Sequence, residues 1–513
     1  MALKDSYIQL LKRLPTVARP IQRLTFKEKL KWTLLMLVAY TFMAQIQVYG
    51  IGDTSAEFLR SAEILLGSSI GSLMTLGIGP IVTASIILQL MVGSKLINWD
   101  LTKEQDKIMF QGTQKLLAVA FSFIEAIAFT AAGVITPASP ELAWLVMVQL
   151  ALGGIIVILM DELISKWGFG SGIGLFIVAG VSKTIFVGAL NPLTTSGTLP
   201  NAAEQPVGVI PQFVVQLAGA QPVQALLVLI PLIATMLVFF LVVYISNMKV
   251  EVPLAFGSIR GFGRRWPLKF LYTSNIPVIL ISALIINLGI MGNIMAQQGF
   301  SLFGTYDAAT GQSTGLLFFM TPPANSTSIP GLTISIGIFF LLGIIASSIL
   351  RRPTAPVAAI FSLLGVLFWF SVAWVTGLTH LTLIPPIEIA RALTYIIFMV
   401  AGSMVFAYFW MTTAGMDAKH VANQIHSVGM QIPGYRRDIR IIEMVLQRYI
   451  PGLTILGGAA VGFLAAAADF TNAIGTGTGI LLASTIVYQL YEELAAKHME
   501  DMHPALRKFM ENR

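Results

Sequence analysis

Twelve runs of about 20 apolar residues, parted by polar segments of varied length, leave this chain few folds to choose from. They lie near residues 30–51, 74–97, 112–134, 142–163, 171–190, 223–246, 272–293, 331–350, 356–377, 392–413, 450–469 and 477–493. A helix of that length crosses a bilayer, and in lipid only helices or closed barrels satisfy their own backbone. Runs this continuous do not alternate as barrel strands do, so the expected fold is an all-α polytopic membrane protein. Charged residues make up 11% of the chain, less than half the usual share of about a quarter in soluble domains.

Several chemistries are excluded early. Cysteine is absent, so disulfides, thiolate nucleophiles and Cys-ligated metals are ruled out, and the five histidines have no ligand spacing. Gly475-Thr476-Gly477-Thr478-Gly479 lacks the Lys-Ser/Thr that completes a phosphate loop, and reads as the start of the last helix. No nucleophile–base pair assembles within the spans. The reading is of a protein that is not an enzyme and needs no cofactor.

Orientation follows from Lys and Arg in the loops. With the N-terminus inside, Lys103, Lys107, Lys166, the set Lys249 to Lys269, Arg351-Arg352 and the set Lys419 to Arg448 are all cytoplasmic, as is the tail. Of 32 basic residues, only Arg60, Lys183 and Arg391 fall at or toward the outer side. The N-terminal 29 residues read as an amphipathic helix on the cytoplasmic face, and 494–513 as a cytoplasmic tail. Arg351-Arg352 obey the rule only as the turn of a helical hairpin spanning about 331–377, with Pro353 and Pro356 breaking the run. That hairpin raises the count from ten spans to twelve.

Three local signals bear on function. Leu76 to Thr83 packs Gly77, Gly79 and Pro80 into one apolar run, which predicts close approach at the glycines and a helix bent at the proline. Pro277 predicts a second bend. Before the first lies an amphipathic segment, 55–66, with a capping box at Thr54 and Glu57; Phe58, Ala62, Leu65 and Leu66 share one face, and Arg60 makes it a poor span. It reads either as a helix on the outer surface or as a plug re-entering the membrane. Glu125, mid-span, must face protein or water. The basic loops 249–269 and 434–448 include Arg260, Arg264, Arg265, Arg436 and Arg437, which suits phosphate backbones or acidic partners.

Motifs along most of the chain resemble the SecY family, the channel-forming α subunits of protein translocases, in its archaeal and eukaryotic branch. They are Leu24 to Thr33, Leu76-Gly77-Ile78-Gly79-Pro80-Ile81-Val82-Thr83, Gly170-Ser171-Gly172-Ile173-Gly174-Leu175-Phe176-Ile177, Pro253 to Gly257, Ser274-Asn275-Ile276-Pro277-Val278-Ile279 and Tyr449-Ile450-Pro451. The resemblance implies ten core helices in two pseudo-symmetric halves, 30–190 and 223–493, hinged at the outer loop 191–222. It implies an apolar pore ring at Ile78, Val82, Ile173, Ile177, Ile279 and Leu482. It makes 55–66 a plug (Glu57, Phe58, Arg60, Ala62, Leu65) and places Thr83, Glu125 and Asn287 at a lateral gate. The five loop arginines become a ribosome-docking surface.

What the resemblance implies for the whole is a passive channel in the cell membrane. It conducts unfolded secretory chains and releases apolar segments into lipid. Its expected partners are a small SecE/γ-type subunit, a small β-type subunit, the ribosome, signal sequences and nascent polypeptides, and lipids. The hairpin at 331–377 departs from the ten-helix pattern. The competing reading is a secondary transporter with broken helices, which requires polar ligands at the midplane.

Overall fold

The computed structural model describes the chain apart from residues 1–6, 10, 12, 23, 53–68, 102, 195–196, 201–203, 257–262, 274, 301–302, 308–311, 324–327, 376–383, 428–429, 432–437 and 503–513. The expected plug, with Glu57, Phe58, Arg60, Ala62 and Leu65, lies outside the described residues, and so do Arg260, Arg436 and Arg437.

A first set of long helices comprises α1 (Phe26–Met43), α2 (Gly79–Gly93), α3 (Glu104–Ala131), α4 (Ala143–Trp167) and α5 (Gly172–Leu190). Two short helices, α6 (Val209–Ala218) and α7 (Pro222–Val228), lead to α8 (Ile230–Ser246). Strands β1 (Lys249–Phe256) and β2 (Gly263–Lys269) precede α9 (Ile276–Gln297). A two-stranded ribbon, β3 (Tyr306–Asp307) and β4 (Gln312–Ser313), and a one-turn helix, α10 (Gly315–Met320), follow. The hairpin is α11 (Ser328–Leu350) and α12 (Thr354–Val375); then come α13 (Pro386–Thr413), α14 (Ala418–Ser427), β5 (Met430–Gln431), α15 (Ile439–Asp469) and α16 (Gly477–Met502).

Nine helices among the described residues are long and apolar enough to cross a membrane. The three other expected positions hold α1, α2 and α16. Lys27, Glu28, Lys29 and Lys31 make the first turns of α1 too polar, α2 has only 15 residues, and Gln489, Glu492 and Glu493 dilute α16. Helix α16 also runs on to Met502, past the expected end of its apolar run.

The two prolines do not bend helices. Pro80 and Pro277 sit in the first turn of α2 and α9, where the missing N–H would have had no partner within the helix anyway. Residues 69–78 form turns instead, and Gly77 adopts φ +51, which stops the helix from extending backwards. This stretch is deeply buried beneath α4. A Cβ on Gly153 would lie 1.8 Å from the Leu73 carbonyl oxygen, so only glycine lets α4 approach.

The hairpin forms as expected, turning at Arg351-Arg352. Small residues make its seam: Cβ atoms at Gly343 and Gly365 would collide with Ala358 and with the Ser335 carbonyl, at 2.8 Å each. It rests against α8, where Gly337 meets Leu237.

The basic loop 249–269 is an antiparallel hairpin rather than irregular backbone, with Lys249 opposite Lys269 and Leu254 opposite Arg264. The Val-Glu-Val alternation at 250–252 is a strand signal lodged in a loop. Strand β5 adds to it, Ala255 pairing with Gln431 and Phe256 with Met430, in the order β2-β1-β5. The first basic loop thus shares a small sheet with Met430–Gln431, while the second basic segment is, from Ile439 on, the start of helix α15.

The N-terminal segment is stitched to α3 and α4. Tyr7 hydrogen-bonds Thr113 at 2.8 Å, the Trp167 indole donates to the Ala18 carbonyl at 2.8 Å, and Lys115 and Lys166 both pair with Glu162. Helix α1 then starts at a capping box, Thr25 with Glu28.

Candidate functional site

A cavity of about 660 Å³ opens between the two helix sets, at the end of the bundle that bears the basic loops. Its walls come from α2, α3 and α5 on one side and from α9, α13, α14 and α16 on the other. Val82, Ile173 and Ile279 stand at its apolar floor. Ile78, Ile177 and Leu482 lie in the same continuous apolar cluster and are fully buried. All six residues expected at a pore ring therefore belong to, or pack against, the one large apolar core cluster.

Local structure explains how they are aimed. Ile78 is the N-cap of α2 in helical conformation, and Val82 N–H bonds its carbonyl at 3.1 Å, so the two stack on one face. Helix α5 is set by α4: Asp161 accepts the Ile173 N–H at 3.0 Å, and a Cβ on Gly172 would lie 2.6 Å from the Asp161 Cα. Glycine at 172 is required for that fit, and it fixes where Ile173 and Ile177 project.

Thr83, Glu125 and Asn287 meet across three helices. Thr83 Oγ1 donates to Glu125 Oε1 at 2.6 Å and accepts from Asn287 Nδ2 at 2.9 Å. One polar chain thus links α3, α2 and α9, joining the two helix sets. Gly79 makes room for the carboxylate, since a Cβ there would lie 2.7 Å from Glu125 Oε2.

Other fastenings were not anticipated from the residues. The C-terminus of α15 is tied to the start of α16 by Asp469, which accepts from the Thr478 N–H at 2.7 Å and from the Tyr395 hydroxyl at 2.7 Å. Arg391, at the outer end of α13, is 3% exposed; it donates to Thr321 and lies over the Phe318 ring at 4.3 Å. Tyr272, just before α9, donates to the Met416 carbonyl at 2.7 Å, and burial, with Asp417 nearby, pushes its hydroxyl pKa up to about 12. The signal for Asp161, Asp469 and Arg391 was present in each case as a charge inside an apolar run.

The basic loops contribute only partly. Arg264 and Arg265 occupy consecutive positions of β2, opposite Leu254 and Pro253. Among the described residues no group of His, Cys, Asp or Glu is placed to hold a metal ion.

Comparison with known proteins decides which family builds such a seam. The SecY family model matches residues 72–491. This chain belongs to the SecY family. SecY relatives include the protein translocase subunit SecY of Methanothermobacter thermautotrophicus, 39% identical, with 99% of each chain covered. That of Methanocaldococcus jannaschii is 38% identical over 98% of this chain and 99% of its own. Among solved structures, one described as a protein-conducting channel matches at TM-score 0.76 and 39% identity, covering 97% of this chain and 99% of that one. Sec61 in a canine ribosome–channel complex from the endoplasmic reticulum matches at TM-score 0.72 and 39% identity, with the same coverage.

Proposed function

We propose that this SecY-family chain is the channel-forming subunit of a protein translocase. It conducts unfolded polypeptides through the seam between its helix sets and releases apolar segments sideways into the bilayer. The observation that carries the reading is a cavity at the seam whose mainly apolar lining, with Val82, Ile173 and Ile279 in it, is interrupted by amides. A narrow apolar constriction dewets and stops ions, yet its side chains shift around a passing chain. The Thr83–Glu125–Asn287 chain supports a lateral gate, because parting α2 from α9 exchanges the Thr83–Asn287 bond as their apolar side chains separate. Selectivity for apolar segments needs no pocket: each buried CH₂ favours lipid by about 0.8 kcal/mol. The wall of the cavity has neutral amides and an apolar floor rather than a cluster of ligands for a solute, which disfavours the transporter reading.

Residues 55–66 act as the plug in this reading, and 191–222 as the hinge. All twelve helices cross, α2 as a half-span continued by the turns at 69–78. Both termini are cytoplasmic, the membrane is the cell membrane, and a SecE/γ-type and a β-type subunit complete the complex. The ribosome delivers the chain to the basic loops.

The test is crosslinking of a stalled nascent chain to single-cysteine probes at Ile78 and Ile279, introduced into this cysteine-free background. Adducts at both positions are expected. A translocating chain that labels neither would refute the pathway.

A further inference from the structure

Two buried amides in the wall of the cavity have a polar atom that no protein group satisfies, and they stand on the facing helices of the seam. Gln89, on α2, is 1% exposed; its Nε2 donates to Ser85 Oγ at 2.9 Å, and its Oε1 has no partner. Asn275 is the N-cap of α9, is 3% exposed, makes no side-chain capping bond, and leaves its Nδ2 without a partner. Both line the cavity. Turning either amide over changes which atom is unpaired but not that one is.

We infer that Gln89 and Asn275 form a receiving station for the main chain of an entering polypeptide. This inference rests on the channel reading above. An extended chain about to cross the apolar floor must give up water at every N–H and C=O, and a polar group stripped of partners in apolar surroundings is strongly disfavoured. The station lies at the last point where partners can be offered. Asn275 precedes Ile279 by four residues and Gln89 follows Val82 by seven, which is about 6 Å and 10 Å along the helices at 1.5 Å per residue. Helices α2 and α9 run in opposite directions, so both offsets point to the same, cavity side of the floor. An extended segment of two or three residues, at about 3.3 Å each, covers that interval.

The chemistry fits a main chain better than any side chain. Between them the two amides present one free acceptor, Gln89 Oε1, and one free donor, Asn275 Nδ2, without charge, matching a peptide group whatever its sequence. Gln111, Gln114, Gln424 and Gln489 add further amides to the lining, which also holds Lys107, His420 and Glu493. Because the two amides belong to opposite helix sets, both become available together when the seam widens.

The test couples the channel to the backbone of its cargo. The full-length chain, with its co-purifying subunits, is reconstituted in proteoliposomes. It is given a secretory precursor and a version of it with a short proline run after the signal segment, which removes N–H donors. Gln89→Leu or Asn275→Leu is expected to slow the ordinary precursor roughly threefold to tenfold, the range for one hydrogen bond. The proline version, already slow in the unsubstituted channel, is not slowed further by Gln89→Leu. Gln89→Glu, which keeps the acceptor, restores most of the rate and separates this effect from misfolding.

Equal slowing of both precursors, or of neither, would overturn the station. Loss of uptake of a small neutral solute in Gln89→Leu, with precursor movement intact, would also overturn it and favour a solute site. If the unsubstituted channel moves neither precursor, the channel reading fails instead.

Discussion

In the proposed channel Ile78 and Val82 close the seam by packing, not by charge, and their substitution separates the two kinds of seal. Each is almost fully buried among apolar side chains, a state that removes water by shape. Glycine at 78 is tolerated as an N-cap and at 82 costs about 1 kcal/mol of helix propensity, and emptying each buried site adds about 2–5 kcal/mol, so retained folding is checked on the purified variant first. The double change Ile78→Gly with Val82→Gly is expected to raise ion conductance of the closed channel about tenfold, a change of about 1.4 kcal/mol in the barrier. Planar-bilayer recording checks it, and unchanged conductance would remove these residues from the seal. Their stacking was legible from i,i+4 spacing alone. The Thr83–Glu125–Asn287 chain was not: its members are 42 and 204 residues apart, and only the family resemblance brought them together. Gln89 shows what remained readable but unread, a lone amide between leucines in an apolar run.

At the scale of elements, the misread prolines mark where local pattern stops deciding. A proline in an apolar run looks the same whether it kinks a helix or begins one. The choice at Pro80 is made by Gly77 in the left-handed region and by α4 pressing on Leu73, neither of which periodicity reveals. The hairpin α11–α12 was legible because two independent signals agreed, the Arg351-Arg352 turn and the apolar runs flanking it. Its glycine seam then lets the pair bury itself without the core: Ser335 Oγ donates to the Gly365 carbonyl across it. Such a unit is insertable between α9 and α13 without disturbing the cavity. In the proposed topology Arg351 to Ala355 face the cytoplasm. Single cysteines there are expected to resist a membrane-impermeant maleimide added from outside and to react once the membrane is permeabilised. Labelling in intact cells would refute the twelve-helix topology.

At the scale of the molecule, the sheet β2-β1-β5 makes one surface of two loops that are far apart in sequence. The strand signal of 249–269 could be read, but pairing with Met430–Gln431 depends on α13, α14 and α15 returning the chain to the same spot. That return places Arg264 and Arg265 on the same sheet as the strand from which the 434–448 loop departs. Positive charges on neighbouring segments act together on a phosphate backbone. Reversing Arg264 in one loop and Arg436 in the other to Glu is therefore expected to weaken ribosome binding by more than either change alone. A combined loss of about a hundredfold corresponds to about 2.8 kcal/mol. The log–log slope of affinity against salt concentration should also become shallower, since fewer counterions are released. Co-sedimentation with ribosomes over a range of salt measures both quantities. Affinity unchanged at physiological salt would remove the basic sheet from docking, while loss with an unchanged slope would point to contacts that are not electrostatic.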